Sequence, residues 1–243
     1  MKFLGALGFL TRIRVPQSAL ALPLNSTSHY FPAVGLVVGT AGVLVFLLAS
    51  TVLPVGIAVI LSMISTMLVT GGFHEDGLAD TGDGLGGGWT KEDVLRIMQD
   101  SRIGSFGLLA IVSTLVLKFE ALVSIPTDVI PLSLLVGHTL SRFWALSLTR
   151  THDYVRFEGK SKPISDGITL QQVVFASLAP ITILCFLPLQ LAILILIVTG
   201  IVRQYIGYRI KVRIGGYTGD ILGATQQLTE VSAYLVICAW MLF

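Results

Sequence analysis

Charge is what this chain has least of. Asp, Glu, Lys and Arg together make up 12% of its 243 residues, against about 25% in soluble domains, which excludes an ordinary soluble enzyme. With 53% hydrophobic residues, a disordered chain is excluded as well, because disorder requires low hydrophobicity and high charge. Cysteine is almost missing. Cys185 and Cys238 stand in separate apolar runs and form no CxxC pair, which argues against a redox or zinc site and reads as lipid-facing or core thiols. No Lys/Arg-rich run accompanies the net charge of +2, so there is no basic stripe for nucleic acid. Internal repeats and low-complexity tracts are also absent.

What the chain has is apolar length, with a mean hydropathy of +0.84. A spanning helix needs about 20 apolar residues, so the length suits one integral membrane domain over 1–243, an all-α bundle of transmembrane helices. Tyr30 to Phe73 holds no charge and no His; it predicts two spans at about 32–53 and 55–73, split at Leu53-Pro54-Val55-Gly56. Two more are expected at about 105–125 and 129–149. Leu170 to Val202 is again uncharged but interrupted by Pro180 and Pro188, as one tilted helix or a hairpin of two. Ile221 to Phe243 gives the last span.

Positive residues near span ends mark cytoplasmic loops. With a hairpin at 170–202 there are seven spans, and fourteen of the sixteen Lys and Arg fall on one side, in clusters at Lys2/Arg12/Arg14, Lys91/Arg96/Arg102, Arg150/Arg156/Lys160/Lys162 and Arg203/Arg209/Lys211/Arg213. The expectation is a multi-pass protein of the cytoplasmic (inner) membrane, N-terminus inside. Met1 to Val15 mixes Lys2, Arg12 and Arg14 with Phe3, Leu4, Leu7, Phe9, Leu10 and Ile13. That pattern reads as an amphipathic helix on the cytoplasmic surface and not as a cleaved signal peptide.

Seven of the fourteen acidic residues (Glu75, Asp76, Asp80, Asp83, Glu92, Asp93, Asp100) occupy one 26-residue window. In GGFHEDGLADTGDG at 71–84 the carboxylates of Asp76, Asp80 and Asp83 are spaced i, i+4, i+7. Continuing the second span as a helix puts all three on one face. Like charges so close are tolerable around a hard cation, and Mg²⁺ takes one or two carboxylates with substrate phosphates and water. Thr90 with Glu92 and Asp93 predicts a capped surface helix to about Ser101, on which Arg96 can pair with Glu92 and Asp100. Asp100 is a fourth candidate metal ligand and Arg102 a phosphate contact; a pairing of the two on the surface is the alternative.

GGFHEDGLADTGDG followed by MQDSRIGSFG resembles the signature of the cobalamin synthase family, the adenosylcobinamide-GDP ribazoletransferases. The similarity continues in LTRIRVP at 10–16, YFPAVG at 30–35 and GGYTGDILGATQQLTE at 215–230. The resemblance implies a membrane transferase of cobalamin biosynthesis, in which α-ribazole or its 5′-phosphate attacks adenosylcobinamide-GDP and GMP leaves. It further implies Mg²⁺ held by Asp76, Asp80, Asp83 and Asp100 in a cytoplasmic active-site loop at about 74–104. His74 is then a candidate to take the acceptor proton, with Asp83 as the alternative catalytic carboxylate. Substrate contacts are expected from Arg102, from Arg142, which either reaches the diphosphate or snorkels, and from Gly219 and Asp220 in the turn Gly215 to Asp220. Gln226 and Glu230 are expected to face inward; His29, His138 and His152 read as structural or at a substrate rim. A homo-oligomer is left open.

Two other readings compete. Asp80-Thr81-Gly82-Asp83-Gly84 approaches the DxxDGxxA motif of the CDP-alcohol phosphotransferases, although Gly87 and Gly88 replace its Ala-Arg pair. A small transporter is suggested by Lys118, Glu120 and Glu230 inside apolar segments, since intramembrane charges often line pathways.

Overall fold

The structure, a computed structural model, describes residues 1–155 and 168–242. Arg156, Lys160 and Lys162 of the third basic cluster lie outside the described residues, as does Phe243. Among the described residues the chain is all-α: α1 (Lys2–Leu10), α2 (Gln17–Leu20), α3 (Phe31–Ser50), α4 (Val55–Thr70), α5 (Phe73–Gly87), α6 (Lys91–Ile97), α7 (Ser105–Val123), α8 (Ile130–Thr151), α9 (Leu170–Leu184), α10 (Leu189–Ile214) and α11 (Gly219–Trp240).

Local chemistry sets most of these boundaries. Pro32 occupies the first turn of α3, where a missing N–H costs nothing. Thr169 and Gln172 form a reciprocal capping box at the start of α9. The stretch 170–202 divides into α9 and α10, with the break just before Pro188, so the two-helix alternative holds. Thr90 caps α6 by accepting from the Asp93 N–H at 3.1 Å, yet the helix ends at Ile97, short of the expected Ser101.

Among the described residues, three helical stretches are long and apolar enough to cross a membrane: Ser28–Ser50, Ser105–Val123 and Leu189–Ile214, with a fourth if α4 and α5 count as one span despite an 88° bend. α8 and α11 are 22 residues each but carry His138, Arg142, Gln226, Gln227 and Glu230 in buried positions. These polar residues face the bundle interior, which lowers mean hydropathy without exposing charge to lipid. The outer faces are apolar, as at Leu44 and Leu48 of α3, Leu109 and Val116 of α7, and Ile197 and Ile201 of α10.

The second span does not continue through the acidic segment. Gly71 and Gly72 adopt φ of 72° and 71°, a left-handed pair that side chains disfavour and glycine accepts. α4 therefore stops, and α5 leaves at a steep angle as a separate helix. Apolar packing holds the ends of several helices around it. Leu7 and Leu10 of α1 pack with Phe31, Val34 and Leu146; Val94 and Met98 pack with Leu148, Ile210, Ile214, Tyr217 and Ile221.

Candidate active site

The acidic segment is a half-buried helix instead of a loop. α5 contains five glycines besides its flanking pair, a composition that disfavours helix in isolation. Packing compensates, because the missing side chains let neighbouring backbones come close. A Cβ at Gly77 would stand 2.7 Å from the carbonyl oxygen of Asp220, and one at Gly223 would stand 3.1 Å from that of His74. The first turn of α11 thus lies directly against the first turn of α5. Glu75 and Asp76 at the start of α5 oppose the positive end of its helix dipole.

Asp83 has a clear local partner. Its Oδ2 accepts from the Gly104 N–H at 2.7 Å and its Oδ1 from the Gly107 N–H at 2.8 Å. Gly104 is the N-cap position of α7 and has no side chain to cap it, so Asp83 supplies the cap from another helix. Asp100 is bound as well: Arg102 donates to it from Nε at 3.1 Å and from Nη2 at 2.7 Å. This pair holds the Asp100 carboxyl down to about 2, chiefly through the side-chain hydrogen bonds. Asp93 is lowered too, by hydrogen bonds from Thr90 and then Arg96. Arg96 pairs with Asp93 at 3.2 Å; the expected partners Glu92 and Asp100 give way to the closer i−3 carboxylate.

Asp83, Asp100 and Arg102 do share one open cavity of about 520 Å³, together with Arg96, Gly104 and Ser105. Asp76 is exposed and Asp80 half-buried, both earlier on α5. Among the described residues, no group of three or more His, Cys, Asp or Glu is gathered for a metal ion. The four expected ligands are therefore not drawn together, because Asp83 is taken by the α7 backbone and Asp100 by Arg102.

The other expected site residues meet elsewhere. His74, Arg142 and Gly219 line a small pocket of about 30 Å³ with Phe9, Phe31 and Phe73. Asp220 stands in the first turn of α11 and accepts from the Thr218 hydroxyl at 3.3 Å. The turn before it is a joint between helices: Gly215 ends α10 with φ 85°, and buried Tyr217 forms an isolated bridge opposite Tyr154, donating to the Asp153 carbonyl and accepting from the Val155 N–H.

A polar core joins three further helices. Lys118 Nζ lies 2.8 Å from Glu230 Oε1 and donates to Gln227 Oε1 at 2.7 Å. His138 Nδ1 is 3.2 Å from Glu230 Oε2, and Gln226 also donates to that carboxylate. Gln227 donates to Glu75 Oε1 at 3.0 Å, and Tyr234 to Glu230 at 3.2 Å. Gln226 and Glu230 thus face inward as their spacing predicts. The roles of Glu75, Gln227 and Tyr234 went unread; Gln227 adjoins the inward Gln226, but nothing in the sequence says which helix faces it. Glu120 is exposed on α7. Lys118 and Glu230 satisfy each other, which removes the reason they gave for a transport pathway. His152 donates from Nε2 to the Gly207 carbonyl, 3.1 Å away, and His29 packs on Tyr30 and Phe175. Cys185 is exposed and Cys238 half-buried, both as free thiols.

Fold and site define an all-α protein with several membrane-length apolar helices, in which an acidic, glycine-rich helix is clamped against the starts of two others. The family model described as cobalamin-5-phosphate synthase matches residues 2–238, and the chain belongs to this family. It is similar to adenosylcobinamide-GDP ribazoletransferase of Shewanella frigidimarina, at 47% identity over 98% of this chain and 94% of that protein. The proteins of the same name from Shewanella sp. (strain W3-18-1) and Shewanella woodyi are 44% and 43% identical, over 97% and 99% of this chain and 92% and 96% of theirs. No solved structure matches.

Proposed function

We propose that this chain is an adenosylcobinamide-GDP ribazoletransferase: it joins α-ribazole or its 5′-phosphate to adenosylcobinamide-GDP and releases GMP. The observation that carries this reading is membership of the family over residues 2–238, with relatives of that name aligned from end to end.

The acceptor's hydroxyl oxygen forms a bond to the corrinoid-side phosphorus. The bond from that phosphorus to the bridging oxygen breaks, and its electron pair leaves with GMP. Displacement at phosphorus needs positioning and charge neutralisation above all. Arg102 and Arg96, beside Asp83 and Asp100 in the open cavity, provide positive charge for a diphosphate. His74 lines a separate pocket and Asp83 the open cavity; we assign His74 the proton of the acceptor hydroxyl, with Asp83 as the alternative.

The donor set fits Mg²⁺ if the cation is shared with the substrate. Two carboxylates, Asp83 and Asp100, face one cavity, and Mg²⁺ commonly uses one or two with phosphates and water. Asp76 and Asp80 do not line that cavity; they enter the set we assign on the family resemblance alone. When bound, the ion neutralises charge on the diphosphate and the departing GMP.

The chain forms one membrane domain over 1–243 that crosses the inner membrane seven times, by α3, α4, α7, α8, α9, α10 and α11. In that topology α1, α5 and α6 lie at the cytoplasmic end, and the segment 74–104 faces the cytoplasm. The basic clusters support it, and so does the meeting of α5 with the starts of α7 and α11.

The reading is tested by incubating the detergent-solubilised chain with adenosylcobinamide-GDP, α-ribazole and Mg²⁺ and following GMP by chromatography. Release of GMP that needs both substrates and the metal is expected; no release overturns the proposal. A CDP-alcohol phosphotransferase would instead give CMP from a CDP-alcohol.

A further inference from the structure

The expected site residues divide between two cavities on either side of α5. Asp83, Asp100 and Arg102 line the open one, whereas His74, Arg142 and Gly219 line the small one. Along α5, His74 and Asp83 are about 14 Å apart at 1.5 Å per residue. A reaction with two substrates has use for two adjoining sites, and the small pocket has a distinct chemistry.

Arg142 is its only cation. The residue is 2% exposed; Nη1 donates to the His138 carbonyl of its own helix at 2.9 Å, while the fully buried Nε has no partner. A buried guanidinium carries five donors and accepts nothing, and a donor left unmade keeps its full desolvation penalty. An anion in the pocket would meet this donor. The first turn of α11, a 22-residue helix, forms the pocket's opposite wall at Gly219 and Gly223, and its positive end favours the same charge.

The remaining walls are three aromatic rings, Phe9, Phe31 and Phe73, beside the aliphatic Leu10, Ala145, Leu146 and Leu222. Phe9 stacks on Phe31 with centroids 5.7 Å apart and planes 7° from parallel, and Phe73 meets Phe9 edge to face at 5.7 Å. Phe9 and Phe73 also line a second cavity of about 210 Å³, with Gly5, Gly8, Leu20, Leu22 and Thr27. The two rings are thus shared by both cavities, and a single cleft under α1 forms only if they turn. Such a cleft suits a flat aromatic group attached to an anion, since aromatic rings attract one another beyond the area they bury.

We propose that this cleft is the acceptor site, which binds an aromatic nucleoside with its base against Phe9 and Phe73 and its phosphate at Arg142 and the α11 N-terminus. The assignment rests on the ribazoletransferase reading, and it leaves the open cavity to the guanosine diphosphate side of the other substrate. It also places His74 beside the acceptor.

Direct binding separates the two claims, because it needs no turnover. The full chain in nanodiscs is titrated with α-ribazole 5′-phosphate, with α-ribazole and with GMP, using the intrinsic fluorescence of the benzimidazole and calorimetry for GMP. Arg142→Gln is expected to weaken the 5′-phosphate at least tenfold and the unphosphorylated nucleoside much less. Phe73→Ala and Leu222→Trp, the latter filling the pocket from its rim, should weaken both nucleosides and leave GMP unchanged. Leu222→Trp keeps Arg142 in place, so it remains informative if Arg142→Gln fails to fold. Unaltered nucleoside binding in the folded variants, loss of GMP binding in its place, or a wild-type chain that binds neither nucleoside overturns the site. If the wild type releases GMP from both substrates while these variants bind nucleosides normally, only the site assignment fails. If it binds nucleosides as described but never releases GMP, the transferase reading fails instead.

Discussion

Lys118 of α7 and Glu230 of α11 form an ion pair of 2.8 Å whose side chains are 7% and 2% exposed. Breaking a buried pair from one side leaves an uncompensated charge, at a cost of about 3–5 kcal/mol, whereas replacing both partners by apolar groups is often close to neutral. Glu230→Gln should therefore sharply lower the thermal midpoint measured by size-exclusion chromatography after heating. Lys118→Met with Glu230→Gln should recover part of the loss, and a single variant as stable as wild type would show that the pair carries no weight.

Asp83 and Asp80 should separate by stability. Asp83→Asn puts an amide where two α7 N–H groups need acceptors, and leaving buried donors unmet costs about 1–3 kcal/mol each. We expect Asp83→Asn to lose both turnover and thermal stability, and Asp80→Asn to lose turnover at limiting Mg²⁺ with a smaller change in stability. Melting curves that rank the two variants the other way would show that Asp83 is not the cap of α7.

Gly77→Ala tests the contact between α5 and α11. Its new Cβ meets backbone, the Asp220 carbonyl at 2.7 Å, which cannot rotate away. Overpacking of this kind costs about 1–3 kcal/mol, and the displacement also shifts His74 against Gly223. Activity should fall more than tenfold while the protein still inserts into membranes. Wild-type kinetics in this variant would mean that the two helices tolerate separation.

Asp220→Ala should raise KM for one substrate, or lower kcat if its contact forms only in the transition state. Mg²⁺ dependence should stay as in the wild type, because Asp83 and Asp100 face the other cavity. Kinetics across both substrates and the metal decide it, and three unchanged values would leave the turn as a joint alone.

Topology is testable at two exposed positions. Trp89, between α5 and α6, is 93% exposed, and Val52, between α3 and α4, is 80% exposed. A Cys at Trp89 should react with a membrane-impermeant thiol reagent only from the cytoplasmic side, and a Cys at Val52 only from outside. Labelling of both from the same side breaks the seven-crossing arrangement.

Asp100 is held down to about 2 by Arg102. A carboxyl whose folded value is depressed contributes above its unfolded value, near 4, and loses that contribution as pH falls through the folded one. Replacing Arg102 by Gln should therefore raise the Asp100 value, with a stability difference from wild type that is constant from neutral pH to about 4 and shrinks below it. Carboxyl titration by NMR checks this directly.

The uncharged runs, the positions of Pro32, Pro54 and Pro188, and the one-sided Lys and Arg clusters were enough to expect the helices and most of their ends. Hydrophobic length and turn chemistry are local, so they can be read residue by residue. The family, too, was legible, because several long motifs recur in order along the chain. The partners of individual side chains were not. Spacing set Asp76, Asp80 and Asp83 on one helical face, but it could not show that the Gly71-Gly72 pair would turn that helix by 88°, or that Asp83 would be consumed by the end of α7. Nor could it pair Lys118 with Glu230 or bring His74 and Arg142 to one pocket. Those arrangements depend on how closely helices distant in sequence can approach, which glycines such as Gly77 and Gly223 permit and only the packed bundle decides.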